Sequence, residues 1–374
     1  MAKALESNTA MRRLGIFFSE MGAEGGTAFG EMLRTNTGLT DICLSDNSLG
    51  AAGGKAIAKA LMRNTSVTVL DIVFNEIGST GGAAMADALR ANRALTTLNL
   101  KCNLLKDLGG KEIAQSLRTN RSLTSLAMNS NALGDDSLVA IAHALAVNGR
   151  ALATLDLGGN SIGCKGCVAL AQALEKNTAL TDLSLSSNDI DDGAAPALGD
   201  MLKANDALAV LDLYENRLGP QSALAIAAAL GTNTALVSLN VGANPIGVEG
   251  AAALAAVLDV DRAALTDLAL EDRPGTGVVP PSRGRTAPSY HFGNAETELM
   301  DFPMIERPDT SGTPWRDREQ HNFGQSRRPS RRSQRVPYRS LEGLDSMSPK
   351  PSRAALSMTP TGATTGSRLP NYTV

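Results

Sequence analysis

Residues 180–188 read LTDLSLSSN, and variants of this nine-residue phrase recur along the chain. LTTLNLKCN begins at Leu95, LATLDLGGN at Leu152 and LAVLDLYEN at Leu208. The ten copies begin at Met11, Leu39, Val67, Leu95, Leu123, Leu152, Leu180, Leu208, Leu236 and Leu265. Successive copies are 28 residues apart, except for two steps of 29 residues. A fixed period of this length predicts a repeat architecture in which each unit is one supersecondary element.

Each repeat combines a strand-like half with a helix-like half. Leucine alternates with polar residues in LTTLNL at 95–100, which predicts a strand with one buried face. In the second half, Ile57, Ala58 and Leu61 have the spacing that places them on one face of a helix. The extra residue of one long step falls in the loop at 149–151, where an insertion disturbs neither element. The sequence therefore predicts a series of β-α units.

Two rows of asparagine recur with the same period, and both are predicted to be structural. The first row ends the predicted helices, where the tolerance of asparagine for left-handed backbone makes it a good helix stop. It comprises Asn8, Asn36, Asn64, Asn92, Asn120, Asn148, Asn177, Asn205 and Asn233, with Asp261 in the last repeat. The second row follows the strands, where its amides can satisfy backbone groups of neighbouring turns. It comprises Asn47, Asn75, Asn103, Asn131, Asn160, Asn188, Asn216 and Asn244.

The pattern L-x-x-L-x-L-x-x-N-x-[LI]-G, as in LTDICLSDNSLG at 39–50, resembles that of a known family. Residues 1 to about 273 resemble leucine-rich repeat proteins of the ribonuclease-inhibitor-like subclass, which includes the Ran GTPase-activating protein and NLR-type receptors. The resemblance implies an α/β solenoid, or horseshoe, of about ten 28-residue repeats. A parallel sheet would line its concave side and helices its convex side. Because one unit cannot bury both of its faces, neighbouring units must stack into a continuous core.

The C-terminal part of the chain has a different composition, which predicts a second region at 274–374. It contains 13 of the 16 prolines and has a net charge of +5, whereas the rest of the chain has −8. No apolar period is present, so we expect a largely disordered basic tail. Its segment RRPSRRSQRVPYR, at 327–339, contains six arginines and no acidic residue. Ser330 and Ser333 follow paired arginines, which makes them candidates for phosphorylation by basophilic kinases.

Four positions of the phrase, the third, fifth, seventh and eighth, are expected to face away from the core, toward the concave surface. They hold the acidic residues Asp41, Asp46, Asp71, Asp156, Asp182, Asp212, Glu215, Asp267, Glu271 and Asp272. Only Arg13 and Lys101 are basic. This excess of negative charge predicts attraction for a basic partner, although acidic residues at these positions also keep a sheet soluble.

Aromatic residues make up only 3% of the chain, so the four on this surface stand out: Phe17, Phe18, Phe74 and Tyr214. Exposed aromatic residues often dominate binding interfaces, although Phe17 and Phe18 can instead cover the N-terminal end of the core. Combining charge and aromatic position, we predict that a protein partner contacts Asp41, Asp71, Lys101, Asp156, Asp182, Asp212, Tyr214, Glu215, Asp267 and Glu271.

No motif predicts catalysis or cofactor binding. Cys164 and Cys167 form a C-x-x-C pair, but the aligned positions of other repeats hold small residues and no second pair follows. The chain has three histidines and no nucleotide-binding or metalloprotease signature. We therefore expect no catalytic residue, metal, cofactor or small-molecule substrate, and nucleic acid is a disfavoured partner.

The leading function predicted from the sequence is a non-enzymatic scaffold that binds a protein on its concave face. The basic tail is also expected to contact that acidic face within the same chain. Two alternatives remain open: a GTPase activator resembling the Ran-specific one, and a cytoskeletal or ciliary component held by its tail. The absence of a signal peptide and of an apolar run long enough to span a membrane favours a cytoplasmic location, with the cytoskeleton or a cilium as alternatives.

Overall fold

Ten three-residue strands form one parallel sheet in a computed structural model that describes residues 1–149, 151–258 and 264–270. Strand order in the sheet follows the chain, and each neighbouring pair is parallel. The strands are β1 (Arg13–Gly15), β2 (Asp41–Cys43), β3 (Val69–Asp71), β4 (Thr97–Asn99), β5 (Ser125–Ala127), β6 (Thr154–Asp156), β7 (Asp182–Ser184), β8 (Val210–Asp212), β9 (Ser238–Asn240) and β10 (Asp267–Ala269). The prediction of one strand in each repeat is confirmed.

A helix precedes β1, and another connects each strand to the next. These helices are α1 (Ala2–Leu5), α2 (Gly22–Leu33), α3 (Gly50–Leu61), α4 (Gly78–Ala91), α5 (Lys106–Leu117), α6 (Asp135–Val147), α7 (Cys164–Leu174), α8 (Ala195–Ala204), α9 (Pro220–Leu230) and α10 (Gly247–Val257). A single 3₁₀ turn at Asp192–Ala194 leads into α8. The predicted α/β leucine-rich repeat solenoid is therefore present.

The core lies between the sheet and the layer of helices. In the fourth copy of the phrase, Leu95, Leu98 and Leu100 are buried, and so are Ile113 and Leu117 of the following helix. Each fully buried aliphatic side chain contributes about 1.5–3 kcal/mol of transfer free energy. These side chains belong to one cluster that includes residues of every repeat, so each repeat is stabilised mainly by its neighbours.

The difference between strand and helix spacing explains the curvature expected for this fold. Adjacent strands are separated by about 4.8 Å, whereas packed helices need an interaxial distance of about 8–10 Å. One repeat therefore takes less length on the sheet side than on the helix side. The sheet must line the concave side of the repeats, as the resemblance implied.

The asparagine row that follows the strands hydrogen-bonds buried backbone groups of adjacent repeats, as predicted. Asn103 is fully buried, and its Nδ2 donates to the carbonyls of Ile72 (2.8 Å) and Leu100 (3.0 Å). Its Oδ1 accepts from the backbone N–H of Asn75 (3.2 Å). The same donor pattern recurs at Asn75, Asn131, Asn160, Asn188, Asn216 and Asn244. This row ties each loop to the repeat before it.

The helix-end asparagines act differently from the prediction. No described member of this row has a positive φ; Asn92, for example, is extended, with φ −72° and ψ 141°. The Nδ2 of Asn92 donates to the carbonyl of Leu61 in the preceding repeat (2.7 Å). Its Oδ1 accepts from the backbone N–H groups of Ala94 (2.8 Å) and Leu95 (2.7 Å). The side chain closes the turn and bridges two repeats, so left-handed backbone is not required.

This second row is interrupted where the repeat is one residue longer. Asn177 still accepts from the backbone of Ala179 and Leu180, but its buried Nδ2 has no hydrogen-bond partner among the described residues. In regular repeats the partner carbonyls lie 28 and 31 residues earlier. For Asn177 the equivalent carbonyls lie just before the loop at 149–151 that contains the extra residue.

Aspartates at the start of some helices cap the helix of the following repeat. The Oδ1 of Asp192 accepts from the backbone N–H groups of Gly219 and Ser222, both at 2.9 Å, and from the Ser222 hydroxyl at 2.6 Å. Asp107 makes the same three contacts with Gly134 and Ser137. Partial burial raises the pKa of each carboxyl, but the hydrogen bonds together outweigh it, and the net pKa is lowered.

Candidate functional site

The outward positions of the strands form two rows of side chains on the concave surface, called here the strand face. The fifth positions pair in register along the sheet: Cys43 with Asp71, Asp71 with Asn99, and so on through Asp156, Ser184 and Asp212. The third positions form a parallel row that contains Asp41, Asp182 and Asp267. The structure therefore brings these predicted residues onto one surface.

Aspartates of the fifth-position row are held by local hydrogen bonds. Asp156 Oδ1 accepts from the backbone N–H of Gly158 (3.0 Å), and Asp212 Oδ1 accepts from that of Tyr214 (3.1 Å). Asn99 and Asn240, in the same row, accept the equivalent bond at 3.1 Å. Where this position holds an oxygen acceptor, either aspartate or asparagine makes the bond, although Ala127 occupies the same position in β5. The negative charge at the aspartates is not needed for this bond.

Partial burial of this row perturbs its acidity. Burial raises the pKa of Asp71, Asp156 and Asp212, and hydrogen bonds to each carboxylate oppose that rise only in part. Lys101 lowers the pKa of Asp71 and Asp156, and the charge of Asp212 raises that of Asp156. Lys101 therefore interacts with acidic residues on both sides, and Asp156 and Asp212 repel each other.

Acidic residues of the third-position row and of the loop are also bound by neutral donors. The hydroxyls of Thr40 and Thr181 donate to Asp41 and Asp182 of the same strands. Ser238 donates to Asp267 at 3.0 Å, as Ser187 does to the exposed Glu215 at 2.7 Å. Such bonds orient a carboxylate without cancelling its charge.

The net charge of the strand face remains strongly negative. Within the described repeats, the strand face and the seventh and eighth loop positions beside it carry eight acidic residues and two basic ones, Arg13 and Lys101. Over the same part of the chain, the ion pairs within 4.0 Å involve acidic residues elsewhere, such as Asp87, Glu112 and Asp136, and none of these eight. Tyr214 is half-buried between Asp212 and Glu215. Glu271, Asp272, Ser330 and Ser333 lie outside the described residues, as does the tail.

The loop that leaves each strand forms a second surface, called here the rim. Residues at the eighth position of the phrase have a left-handed backbone, including Phe18 (φ 50°) and Phe74 (φ 53°). Phe18 is 75% exposed and Phe74 is 54% exposed. Leu104, two positions further along the next loop, is 53% exposed and also has a positive φ of 58°. Sequence reasoning missed Leu104, because a leucine within a leucine-rich pattern gives no sign of exposure.

The cysteines do not form a reactive or metal-binding site in the part of the chain that the structure describes. Burial raises the pKa of Cys167 to about 12 and that of Cys43 to about 11, which disfavours thiolate. The thiol of Cys164 donates to Asp191 at 2.6 Å. All four cysteines are free, and no group of three potential ligands is found among the described side chains.

Comparison with known proteins matches the repeats to a family. The family described as Leucine Rich repeat matches at residues 63–86, 91–114, 119–142, 152–171, 176–199 and 232–255. No curated protein sequence matches the chain. Each matched segment contains one strand, the loop that follows it and part of the next helix.

Two solved structures resemble the chain at low identity. "Leiomodin-1 Actin-Binding Site 2 (ABS2)" is 23% identical, covering 39% of this chain and 86% of that one, with a TM-score of 0.35. "Crystal structure of TLR13-ssRNA13 complex" is 16% identical, covering 71% of this chain, with a TM-score of 0.42. The match spans only 36% of the TLR13 chain. Among the described residues, no helix has the length and apolarity needed to cross a bilayer.

Proposed function

Because the chain is a leucine-rich repeat protein, and such repeats generally serve as protein-interaction scaffolds, we propose that its strand face binds a basic protein partner. The observation that carries the proposal is the imbalance of eight acidic to two basic residues on one face, with none of the eight in an ion pair within the described residues. The predicted contact residues Asp41, Asp71, Asp156, Asp182, Asp212 and Asp267 lie on it, with Lys101, Tyr214 and Glu215 beside them.

The acidic side chains are well suited to bind cations because they are held in place before a partner arrives. Asp71 accepts from Ser45 (2.9 Å), Val73 (3.0 Å) and Asn99 (2.9 Å), so its carboxylate has little freedom to lose on binding. Burial already disfavours its charge, and a lysine or arginine from a partner would offset that cost. A directional field of this kind also accelerates association with a cationic partner.

The middle of the strand face carries small side chains around its carboxylates. Ser184 lies in register between Asp156 and Asp212, and the loops that follow β6 and β7 begin with Gly158 and Ser186 nearby. A long basic side chain therefore meets no large side chain in this row between the two carboxylates.

The same charge argument extends to the basic tail. Its segment 327–339 carries six arginines, so it has the charge that the strand face would attract. We propose that the tail competes with the protein partner for this surface. A full-length variant with Arg331→Gln, Arg332→Gln and Arg335→Gln tests this competition. A labelled peptide of residues 327–339 should bind the variant more tightly than the natural chain. Equal affinity for the two proteins would refute the competition.

Neutralising the fifth-position row tests the main proposal. The variant Asp71→Asn, Asp156→Asn, Asp212→Asn keeps the backbone bond, because Asn99 and Asn240 already make it in this row. An exposed carboxylate–cation pair is worth about 0.2–1 kcal/mol, so losing three such pairs should lower the affinity for a basic peptide roughly tenfold. The loss should shrink above about 300 mM salt, where screening weakens the pairing in the natural protein too.

A matched variant separates local charge from net charge. Glu24→Gln, Glu31→Gln and Glu249→Gln change the total charge equally, but these residues lie on α2 and α10. Peptide affinity should be nearly unchanged in this control, as measured by fluorescence anisotropy. If both triple variants weaken binding to the same extent, the strand face is not the binding surface and the proposal is wrong.

The role proposed is that of a non-enzymatic scaffold, and the described residues offer no catalytic arrangement that favours another reading. The GTPase-activator and cytoskeletal or ciliary alternatives stay predictions, as do the ribonuclease-inhibitor-like subclass and a cytoplasmic location. Hydrolysis by a panel of small GTPases with the full chain added tests the first alternative. Co-sedimentation of the chain with microtubules tests the second.

A further inference from the structure

The rim carries apolar side chains that are not buried in the core and that occupy an unfavourable backbone conformation. Backbone hydrogen bonds stack its loops in register: the N–H of Phe74 donates to the carbonyl of Lys101 (3.1 Å), and that of Asp46 donates to Val73 (2.9 Å). Every eighth-position residue from Phe18 to Ala243 therefore shares the same left-handed backbone. The fold determines this backbone conformation, and the sequence determines which side chain occupies each of these positions.

Phenylalanine is an unfavourable choice for such a position. A bulky residue in left-handed backbone is strained, whereas glycine, asparagine or aspartate is tolerated. Gly159 and Asp46 occupy the equivalent positions of two other repeats without this conflict. Phe18 and Phe74 also expose most of their rings to solvent. Two adverse features at the same residues indicate that the rings serve a purpose other than folding.

The charges around these rings define the partner chemistry. In the first four repeats, the eighth and tenth positions hold Glu20, Asp46 and Glu76, all exposed, and no basic residue. Asp46 lies between the two rings, and Leu104 continues the apolar surface beyond Phe74. Lys106 is exposed further along the same loop as Leu104. Phe18, Asp46, Phe74 and Leu104, together with Glu20 and Glu76, are called here the rim ridge.

The spacing of the two rings matches that of side chains seven residues apart on an α-helix. Phe18 and Phe74 are two repeats apart, or about 10 Å when each repeat advances by one strand separation. Residues seven positions apart on an α-helix are separated by about 10.5 Å and lie on nearly the same face. Positions between them on that face can carry lysine or arginine toward Asp46.

We propose that the rim ridge is a docking site for a basic amphipathic helix of a partner protein, which places apolar side chains seven residues apart against Phe18 and Phe74. Its basic residues face Glu20, Asp46 and Glu76. This site goes beyond the proposed function, because it depends on apolar contact at the loops, whereas the proposed function depends on charge attraction to the strand face.

Three labelled peptides of equal charge test the proposal with the full chain. All three contain lysine and two leucines. One alanine-based helix has the leucines seven positions apart, and a second has them five apart on different faces. The third is a polyproline peptide with leucines three apart on one face and its lysines on the other faces, away from Asp46. Equal charge means that attraction to the strand face contributes equally to all three. The first peptide should bind about tenfold more tightly than either of the others. Equal binding of the three would overturn the proposal.

Two substitutions at the same type of loop position complete the test. Phe74→Asn should reduce binding of the first peptide about tenfold and should not lower the thermal midpoint, because asparagine suits left-handed backbone. Ala243→Asn, at the equivalent loop position six repeats beyond Phe74, should leave binding unchanged. Unchanged binding by Phe74→Asn would show that the ring has no docking role. A lowered thermal midpoint would show that the ring stabilises the fold instead.

The rim proposal and the strand-face proposal can be refuted independently of each other. The triple asparagine variant of the strand face should bind all three peptides more weakly while the preference for the first peptide persists. If the strand-face variant no longer prefers the first peptide, the selectivity for leucine spacing arises on the strand face, and the rim proposal is overturned.

Discussion

Replacing Asn103 by alanine should strongly destabilise the repeats, and the hydrogen-bond pattern shows why. The Nδ2 group donates to three carbonyls, but each keeps another donor: Asn75 for Ile72, Asn131 for Leu100 and Phe74 for Lys101. The substitution therefore leaves no carbonyl without a partner. Its cost arises from the acceptor side of the amide.

Two buried backbone donors depend on the Oδ1 of Asn103. The N–H groups of Asn75 (3.2 Å) and Ile77 (3.4 Å) both donate to it. A buried donor without a partner costs about 1–3 kcal/mol, so the expected loss of unfolding free energy is about 2–6 kcal/mol. With a urea m-value of about 3 kcal/mol/M for a domain of this size, the midpoint should fall by about 1–2 M.

Urea unfolding followed by far-UV circular dichroism measures this loss, since the single tryptophan, Trp315, lies outside the described repeats. Asn99→Ala is the matched control, because Asn99 is half-buried on the strand face and accepts one backbone bond, from Lys101. It should cost no more than about 1.5 kcal/mol. Equal midpoints for the two variants would refute the idea that the buried amide row holds adjacent repeats together.

Three further outcomes are expected. Asp192→Ala should cost about 1–2 kcal/mol at neutral pH and less at pH 3, because the pKa of Asp192 is lower in the folded state than in the unfolded state. The stability from this shift is fully present above the unfolded pKa and is lost as pH falls through the folded pKa; an equal cost by urea unfolding at both pH values would contradict this. Asp156→Asn should raise the free energy of unfolding at neutral pH but not below about pH 4. The pKa of Asp156 is higher in the folded state than in the unfolded state, so the natural protein loses stability as pH rises above about 4. An equal stability difference between variant and natural protein at both pH values would contradict this. Treatment with a basophilic kinase should modify Ser330 and Ser333, as mapped by mass spectrometry, and their absence from the map would remove the phosphorylation hypothesis.

Much of the candidate site could be predicted because the repeat is strictly periodic. Once Leu98 and Leu126 are known to occupy equivalent strand positions, the intervening outward residues must line up, and Asp71, Asp156 and Asp212 do lie in one row. What periodicity could not show is how these carboxylates are bonded. Their half-burial depends on atoms of adjacent repeats, and their bonds to the backbone two residues later form only when the loop takes its folded conformation.

The helix-end asparagines illustrate the limit of local reasoning. A preference for left-handed backbone belongs to the residue itself, so it suggested a helix stop at Asn92. The structure instead uses the amide to bond carbonyls 28 and 31 residues earlier, which no local propensity describes. At Asn177, after the longer repeat, this contact is missing among the described residues, whereas Asn160 of the other row keeps its bond to the preceding repeat across the same insertion.

The order of letters in each repeat was enough to determine the class of fold, the number of strands and the surface on which the acidic residues lie. A period of 28 residues can bury its leucines only by stacking, and stacking places equivalent residues in rows. Only the tertiary structure decided which side chains on those rows are exposed, strained or desolvated. Exposure of Phe74 and burial of Asp156 depend on atoms contributed by neighbouring repeats, and a single repeat contains no record of those distances.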